Sequence, residues 1–219
     1  MDWPYTARVT TIEPVEGPVS VIVVSDFVCP WCYIGLVAVE RLQREYDVEV
    51  HHAPYFLDPA TPPEGKPRKP QMHPDDPPSR IEAMGAELGL KFARGRTWTS
   101  NSHLALQAAE FAAETPHVEP FFRAMFKAYF EDLEDIGKVD TVVRVGESVG
   151  LDGGALRRAL ESGEFRARVD SGIEWARRAG VTGVPTYIID NRWAVVGAQD
   201  YPVFESLMRK LGKEPKPAV

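Results

Sequence analysis

The chain has 219 residues, of which 44% are hydrophobic and 26% are charged, and its formal net charge at pH 7 is −7. This length is enough for one domain with a sizeable hydrophobic core, or for a compact domain that carries an insertion. The acidic balance argues against binding to nucleic acid or to an anionic membrane surface. No stretch reaches the roughly 18 apolar residues that a membrane span needs.

The first residues read MDWPYTARVTTIEPVEGP and lack the basic-then-apolar order of a secretory signal. Two cysteines are also too few for a secreted disulfide scaffold. We therefore expect a cytoplasmic protein. Within this N-terminal stretch, the sequence suggests a short strand near Arg8–Ile12.

The next segment has the pattern of a strand, a helix and a second strand. The run VSVIVV, from Val19, is short and β-branched, which is typical of a strand buried on both faces. Apolar residues then recur at the spacing of one helix face: Ile34, Val37, Ala38 and Leu42. The stretch VEVHHAPYF follows and favours a strand. Such a βαβ unit predicts two parallel strands with a right-handed crossover.

The middle of the chain predicts a helical insertion. Eight prolines lie between residues 58 and 78, so we expect a loop without regular structure there. From Ser79 to about Ala179 the periodicity is helical nearly throughout. Ser79 and Glu82 have the spacing of a capping box, and Asp152 and Ser162 are placed to begin helices.

Strand patterns return only near the C-terminus. PTYIID and WAVVG predict a hairpin that turns at Asp190–Asn191. Asp200 then precedes a last helix, with Pro202 in its first turn. The sequence therefore predicts an α/β protein with a βαβ–ββα sheet, formed by residues 18–57 and 180–212. An all-helical insertion at residues 58–179 interrupts this sheet domain.

The two cysteines of the chain, Cys29 and Cys32, lie in the stretch SDFVCPWCYIG. A structural zinc site needs four ligands, usually in two pairs, and the histidines supply no second pair at a suitable spacing. We therefore expect no metal. A purely structural disulfide would close a very small loop and would constrain the unfolded chain little. A redox-active pair is the interpretation that the pattern favours.

A redox role for the pair has a physical basis in its position. Cys29 lies where the first strand ends and the helix begins, with Pro30 at the first helical position. The free amides and the dipole of the helix N-terminus favour the thiolate of Cys29. We expect Cys29 to be partly exposed with a lowered pKa, and Cys32 to lie beneath it. Trp31 should project outward and contact the substrate, unless it is an incidental surface aromatic.

A second motif, GVTGVPTYIID, lies about 150 residues further on. Pro185 opens a predicted strand, where a missing amide requires an explanation. A cis Val184–Pro185 bond would turn the Val184 backbone toward Cys29, where it could pair with a substrate peptide as an added strand. An ordinary trans bond is the alternative, and local sequence alone favours it.

Together these motifs resemble the DsbA-type thiol oxidoreductases, which have a thioredoxin fold with a helical insertion. DFVCPWCYIG, NSHLALQAAEF, FFRAMFKAYFEDLEDI, GVTGVPTYII and VVGAQ resemble the FrnE-like branch of that group, which is usually cytoplasmic. The resemblance implies that Cys29 is the attacking thiol, that Cys32 resolves the mixed disulfide and that Pro185 is cis. It also places Asn101, Ser102 and His103 in a segment that faces the active site, although Asn101 or Ser102 could simply cap a helix.

The chain departs from the related pattern in two respects. Some FrnE-like proteins carry a further cysteine pair, and this chain has none. Thioredoxins bury an acidic residue beneath the cysteine pair in the first central strand, and the matching position here, near Val23, is apolar. The proton of Cys32 would therefore have to pass to water or to another group.

The sequence thus predicts a thiol:disulfide oxidoreductase or isomerase that acts on disulfide-containing proteins or peptides. It needs no bound cofactor, and a thiol reductant such as glutathione or a thioredoxin system would supply electrons. A glutathione-dependent isomerase or transferase is an alternative, similar to 2-hydroxychromene-2-carboxylate isomerase or the kappa-class transferases. Those enzymes usually carry serine where Cys29 stands. A chaperone-like binding protein that uses the apolar surface around Trp31 is a third interpretation.

Overall fold

The structure, a computed structural model, describes residues 15–70, 73 and 75–217. The strand expected near Arg8–Ile12 lies outside these residues. In chain order the elements are β1 (Val19–Ser25), α1 (Pro30–Glu45), β2 (Val48–Pro54), β3 (Lys66–Pro67), α2 (Arg80–Glu87), β4 (Trp98–Thr99), α3 (His103–Ala112), α4 (Val118–Phe130), α5 (Val139–Ser148), α6 (Gly153–Ser162), α7 (Arg166–Arg178), β5 (Thr186–Ile189), β6 (Trp193–Val196) and α8 (Tyr201–Lys210).

Four of the strands form one sheet in the order β2–β1–β5–β6. β1 and β2 are parallel, as the βαβ pattern predicted, and the other neighbours are antiparallel. The hairpin between β5 and β6 turns at Asp190 and Asn191, whose φ angles are 51° and 52°. Two consecutive positive φ angles are what a type I′ turn requires, so the predicted turn position is confirmed.

Alternate residues of β1 pack on opposite faces of the sheet, as the period of two in a strand requires. Val21 and Val23 belong to a core that they share with α1 and α8. Ile22 and Val24 pack on the other face, together with Ala176 of α7. The last helix of the predicted insertion therefore also covers the sheet.

The middle of the chain is mostly helical, although not entirely as predicted, and most of the predicted helix starts are confirmed. Ser79 and Glu82 form the capping box at the start of α2. Asp152 begins α6 and its carboxylate accepts a hydrogen bond from the Ala155 amide. The predicted start at Ser162 is wrong, because Ser162 is the last residue of α6 and Gly163 ends that helix with a φ angle of 69°.

A short β-ribbon lies within the segment that was predicted to contain only loops and helices. β3 pairs antiparallel with β4, so that Lys66 faces Thr99 and Pro67 faces Trp98. Proline is compatible with an edge strand, and both strands of a two-stranded ribbon are edges. Hydrophobic periodicity cannot detect strands of two residues, which is why the sequence did not predict this ribbon.

The core of the insertion continues into the segment that carries the cysteines. The Phe27 ring, just before Cys29, lies 5.0 Å from the rings of both Phe122 and Phe126 in α4. The Tyr33 ring of α1 stacks on Phe126 at a centroid distance of 5.4 Å. One continuous aromatic cluster therefore holds the first turn of α1 against the insertion. Within the described residues, no helix combines the length and the apolar character that crossing a bilayer requires.

Candidate active site

The cysteine pair lies at the junction between β1 and α1. After β1 ends, the Cys29 amide donates a hydrogen bond to the Asp26 carbonyl at 3.0 Å, which closes a tight turn. Cys29 then occupies the N-cap of α1 in an extended conformation, with Pro30 at the start of the helix. The predicted position of both cysteines relative to the helix is therefore confirmed.

The two thiols lie close together but differ in acidity. Cys29 and Cys32 are 3.4 Å apart and are not bonded to each other. A hydrogen bond from the Cys32 thiol lowers the pKa of Cys29, and the amides of Cys32 and Trp31 lower it further, although burial opposes this effect. Burial raises the pKa of Cys32 well above its ordinary value. The arrangement favours a Cys29 thiolate beside a protonated Cys32.

Cys29 is less accessible than the sequence predicted. Both cysteines have only 3% of their surface exposed, so the expected partial exposure of Cys29 is wrong. The side chains of Val28, Trp31 and Val184 pack against the cluster that contains the pair. A substrate disulfide must therefore displace part of this cover before it reaches the Cys29 sulfur.

The strand-opening motif lies next to the cysteines. The Cys29 thiol donates a hydrogen bond to the Val184 carbonyl at 3.5 Å, across 155 positions of sequence. The Val184–Pro185 peptide bond is cis in the structure. Val184 and Pro185 thus lie beside the candidate nucleophile, where the sequence analysis placed them.

Trp31 lies between the two cysteines and is partly buried. Its ring packs against the large core cluster that includes both cysteines, and the Arg80 guanidinium lies 5.6 Å above the ring centroid. The predicted contact of Trp31 with the substrate stays a prediction. Because Arg80 begins α2, the insertion also contributes to this surface.

Sequence reasoning missed Asp26, which is completely buried just before the cysteines. Its carboxylate accepts hydrogen bonds from the amides of Leu57, at 2.7 Å, and Val28, at 3.3 Å. Burial raises the pKa of Asp26 to about 6, although these hydrogen bonds oppose the shift. The charge of Asp26 in turn raises the pKa of both Cys29 and Cys32.

A signal for Asp26 was present in the sequence, since an aspartate directly follows a buried β-branched strand and precedes Cys29 by three residues. Asp26 was missed because the sequence analysis looked for a buried acid only at the position of Val23.

Val23 itself is buried and pairs with Tyr187 on β5. The Tyr187 hydroxyl is buried without a hydrogen-bond partner among the described residues. Burial and the charges of the cysteine pair raise the pKa of Tyr187 well above its ordinary value.

The segment from residue 101 to residue 103 has two separate roles. Ser102 is buried and lies beside Asp26. Asn101 instead holds the backbone, because its side chain accepts from the His103 amide and donates to the Thr61 carbonyl. The His103 imidazole forms a hydrogen bond with the Asp170 carboxylate, with 2.9 Å between Nε2 and Oδ1. Of these three residues, Ser102 is the one that the structure links to the site through Asp26.

The acidity of Cys29 gives a direct test of this geometry. In a Cys32→Ser variant, the serine hydroxyl still donates to the Cys29 sulfur, so the alkylation midpoint of Cys29 should fall below the ordinary value of about 8.5. The measurement is the rate of iodoacetamide modification between pH 4 and pH 10. A Cys29→Ser variant is the matched control, and its remaining thiol, Cys32, should react with a midpoint above that value. Equal midpoints for the two variants would contradict the assignment.

The sequence matches the family of DSBA-like thioredoxin domains over residues 20–209. A curated relative, the uncharacterized protein YwbO of Bacillus subtilis, is 31% identical over 199 residues, which cover 85% of this chain and 94% of the relative. The family match includes both cysteines and the Val184–Pro185 motif.

Solved structures with low sequence identity share the fold. A probable DsbA oxidoreductase from Streptomyces coelicolor has a TM-score of 0.77 and 24% identity, over 92% of this chain and 93% of that one. A 2-hydroxychromene-2-carboxylate isomerase has a TM-score of 0.69 and 17% identity, over 88% and 96% of the two chains. The cytosolic disulfide reductase DsbM of Pseudomonas aeruginosa has a TM-score of 0.63 and 16% identity, over 87% and 99%.

The domain match covers the sheet, the helical insertion and the cysteine pair together. The chain therefore belongs to the DSBA-like thioredoxin domain family.

Proposed function

We propose that this protein is a cytoplasmic thiol:disulfide oxidoreductase that reduces or isomerises disulfides in proteins or peptides. The observation that carries the proposal is the asymmetry of the cysteine pair. Cys29 has a lowered pKa at a helix N-cap, and Cys32, 3.4 Å away, holds its proton. This is the arrangement that a nucleophilic thiolate and a resolving thiol require.

The reaction proceeds in two exchange steps. The Cys29 thiolate attacks one sulfur of the substrate disulfide, which forms a mixed disulfide and releases the other substrate sulfur as a thiolate. Cys32 then loses its proton and attacks the Cys29 sulfur, which releases the second substrate thiolate. The substrate gains two electrons, and the enzyme is left with a Cys29–Cys32 disulfide. In isomerisation, a second thiolate of the substrate attacks the mixed disulfide before Cys32 does.

Val184 and Trp31 would bind the substrate during these steps. The Val184 carbonyl lies 3.5 Å from the Cys29 sulfur, so a peptide that pairs with the Val184 backbone would bring its disulfide to Cys29. Trp31 would supply an apolar contact on the same surface. Pro185 follows Val184 directly and immediately precedes β5.

The reducing direction follows from the proposed compartment. In a cytoplasm that keeps thiols reduced, the surrounding pool drives the Cys29–Cys32 disulfide back to the dithiol. Glutathione or a thioredoxin system would be the electron donor. The similarity to a cytosolic disulfide reductase supports this direction, as does the resemblance of the DFVCPWCYIG segment to the FrnE-like branch.

Trapping the mixed disulfide between Cys29 and a substrate tests the proposal. A Cys32→Ser variant retains the nucleophile Cys29 but cannot resolve the mixed disulfide. It should therefore accumulate covalent complexes with disulfide substrates. These complexes should be visible on non-reducing gels and should disappear with dithiothreitol. Complexes that form equally well in the Cys29→Ser variant would contradict the assignment of the attacking thiol.

We assign the proton acceptor for Cys32 to Asp26, the buried carboxyl whose charge acts on both thiols. With its pKa raised to about 6, Asp26 is protonated below that pH and ionised above it. Because only the ionised form accepts a proton, the rate of the resolving step should increase as the pH rises through about 6. Stopped-flow measurement of mixed-disulfide decay should show this inflection in the wild-type protein and not in Asp26→Asn. The same inflection in both proteins would contradict the assignment.

A glutathione-dependent isomerase or transferase is the second candidate, favoured by the similar fold of an isomerase. Such an enzyme activates the thiol of glutathione and needs no resolving cysteine, so its activity would survive Cys32→Ser. A chaperone-like function would survive the loss of both cysteines. Assays of glutathione-dependent isomerisation and of aggregation suppression on the two single variants and the double variant separate these candidates.

A further inference from the structure

A cavity of about 430 Å³ opens beside the cysteine pair. Val28 and Pro30, the neighbours of Cys29 on either side, form part of its wall. Phe92, Tyr129 and Phe130 supply an apolar wall from the insertion. A group bound in this cavity would therefore lie close to a disulfide that reacts at Cys29.

Three arginines also line this cavity, and one of them already has its partners. Arg94 forms two hydrogen bonds with the Glu82 carboxylate, at 2.6 and 3.0 Å, and others with carbonyl oxygens of residues 73, 76 and 77. Glu82 is also held by Ser79, at the cap of α2. This arginine and the glutamate of the cavity therefore serve the structure of the insertion.

The other two arginines, Arg68 and Arg96, form no ion pair with a carboxylate among the residues that the structure describes. The Arg96 guanidinium stacks on the Tyr129 ring at 3.6 Å, and its Nη2 atom is buried without a hydrogen-bond acceptor among those residues. Burial and the neighbouring charge of Arg68 lower the pKa of Arg96, although the charge of Asp135 opposes this effect. The positive charge of Arg96 at the cavity wall is therefore incompletely compensated.

The β3–β4 ribbon holds these two arginines together. The Arg68 amide donates to the Thr97 carbonyl at 2.9 Å, which continues the ribbon beyond β3 toward Arg96. The ribbon is closely packed at its other end, because Gly65 has a φ angle of 82° and lies directly under the Trp98 indole. The backbone of both arginines is therefore held by this ribbon at the cavity wall.

We propose that this cavity binds a carboxylate of the disulfide substrate, so that the enzyme prefers disulfides flanked by acidic residues. Arg96 and Arg68 supply two positive charges at the cavity wall, and the aromatic wall accommodates the aliphatic part of the acidic side chain. Guanidinium groups bind carboxylates through charge-assisted hydrogen bonds, which are stronger than neutral ones. The net charge of −7 of the whole chain repels acidic partners at long range. The preference for acidic residues would therefore arise only from contacts within the cavity.

The proposal rests on the proposed function and can be tested separately from it. Two synthetic disulfide peptides of equal length are compared, one with glutamate two residues from the bridging cysteine and one with glutamine at that position. The wild-type protein should reduce the glutamate peptide with the higher kcat/KM. In Arg96→Gln the ratio of the two kcat/KM values should fall about tenfold, since a hydrogen bond to a charged group is worth about that factor. The loss should appear mainly in KM.

Two further variants serve as controls for this comparison of the peptides. Arg44→Gln removes an exposed charge at the far end of α1 and should leave the ratio as in the wild-type protein. If Arg96→Gln fails to fold, as shown by its melting curve, Arg68→Gln takes its place, with an expected fall in the ratio of about threefold. A wild-type ratio near one, or equal losses on both peptides, would overturn the proposal while the proposed function stands. Failure to reduce either peptide would instead count against the proposed function.

Discussion

Replacing Cys29 with serine is expected to reduce the catalysed reduction of insulin by dithiothreitol to the uncatalysed background. The serine hydroxyl remains protonated at neutral pH, so no nucleophile of comparable strength is left at the helix N-cap. Cys32 cannot take over the attack, because its side chain is buried and its pKa is raised well above the ordinary value. Turbidity of the precipitating insulin chains measures the effect.

The Cys32→Ser protein is the matched comparison for this experiment. It should lose turnover as well, but it should first react with one equivalent of substrate and retain it as a mixed disulfide. Full insulin-reducing activity in Cys29→Ser would falsify the mechanism. Melting curves of both variants should lie close to that of the wild-type protein, because each exchange replaces sulfur by oxygen in the same geometry.

Gly35→Ala is expected to destabilise the protein by about 1–3 kcal/mol, the usual cost of overpacking a core. Gly35 lies in α1, one turn after Cys32, where a Cβ atom would overlap the Tyr187 hydroxyl and would lie 3.2 Å from Pro185 Cγ. An alanine in an exposed helix normally stabilises instead, and Gly154→Ala in α6 is the control for that effect. Urea unfolding of both variants measures the two free energies.

Tyr187→Phe tests the cause of this destabilisation. Without the hydroxyl, the nearest ring atom would lie 3.3 Å from the new Cβ, so Gly35→Ala should cost clearly less in the Tyr187→Phe background. The single Tyr187→Phe change should itself be nearly neutral, since the buried hydroxyl has no partner among the described residues. Additive free energies in the double variant would show that the clash lies elsewhere.

The sequence predicts the parts of this protein that follow from local patterns. β-Branched runs, helical periodicity and the Asp190–Asn191 turn indicated the order of sheet, insertion and sheet. The position of Cys29 at an N-cap followed from the end of a strand pattern and from Pro30. These features depend on residues that are near one another in the chain.

Features that depend on distant contacts were not predicted. Asp26 owes its raised pKa to burial, which outweighs the opposing hydrogen bond from the Leu57 amide, and no local pattern specifies either effect. The burial of Cys29 depends on Val184, 155 positions away, and on the packing around Trp31. The β3–β4 ribbon joins a proline-rich segment to residues some thirty positions further on.

The aromatic cluster that joins α1 to α4 makes the sheet part unable to stand without the insertion. Phe27 and Tyr33 belong to the sheet part, but their rings pack against Phe122 and Phe126 of the insertion. A shortened chain without the insertion would leave these two rings facing water beside the cysteines, and it would aggregate through them. The sheet part therefore depends on the insertion for the burial of its own first helical turn.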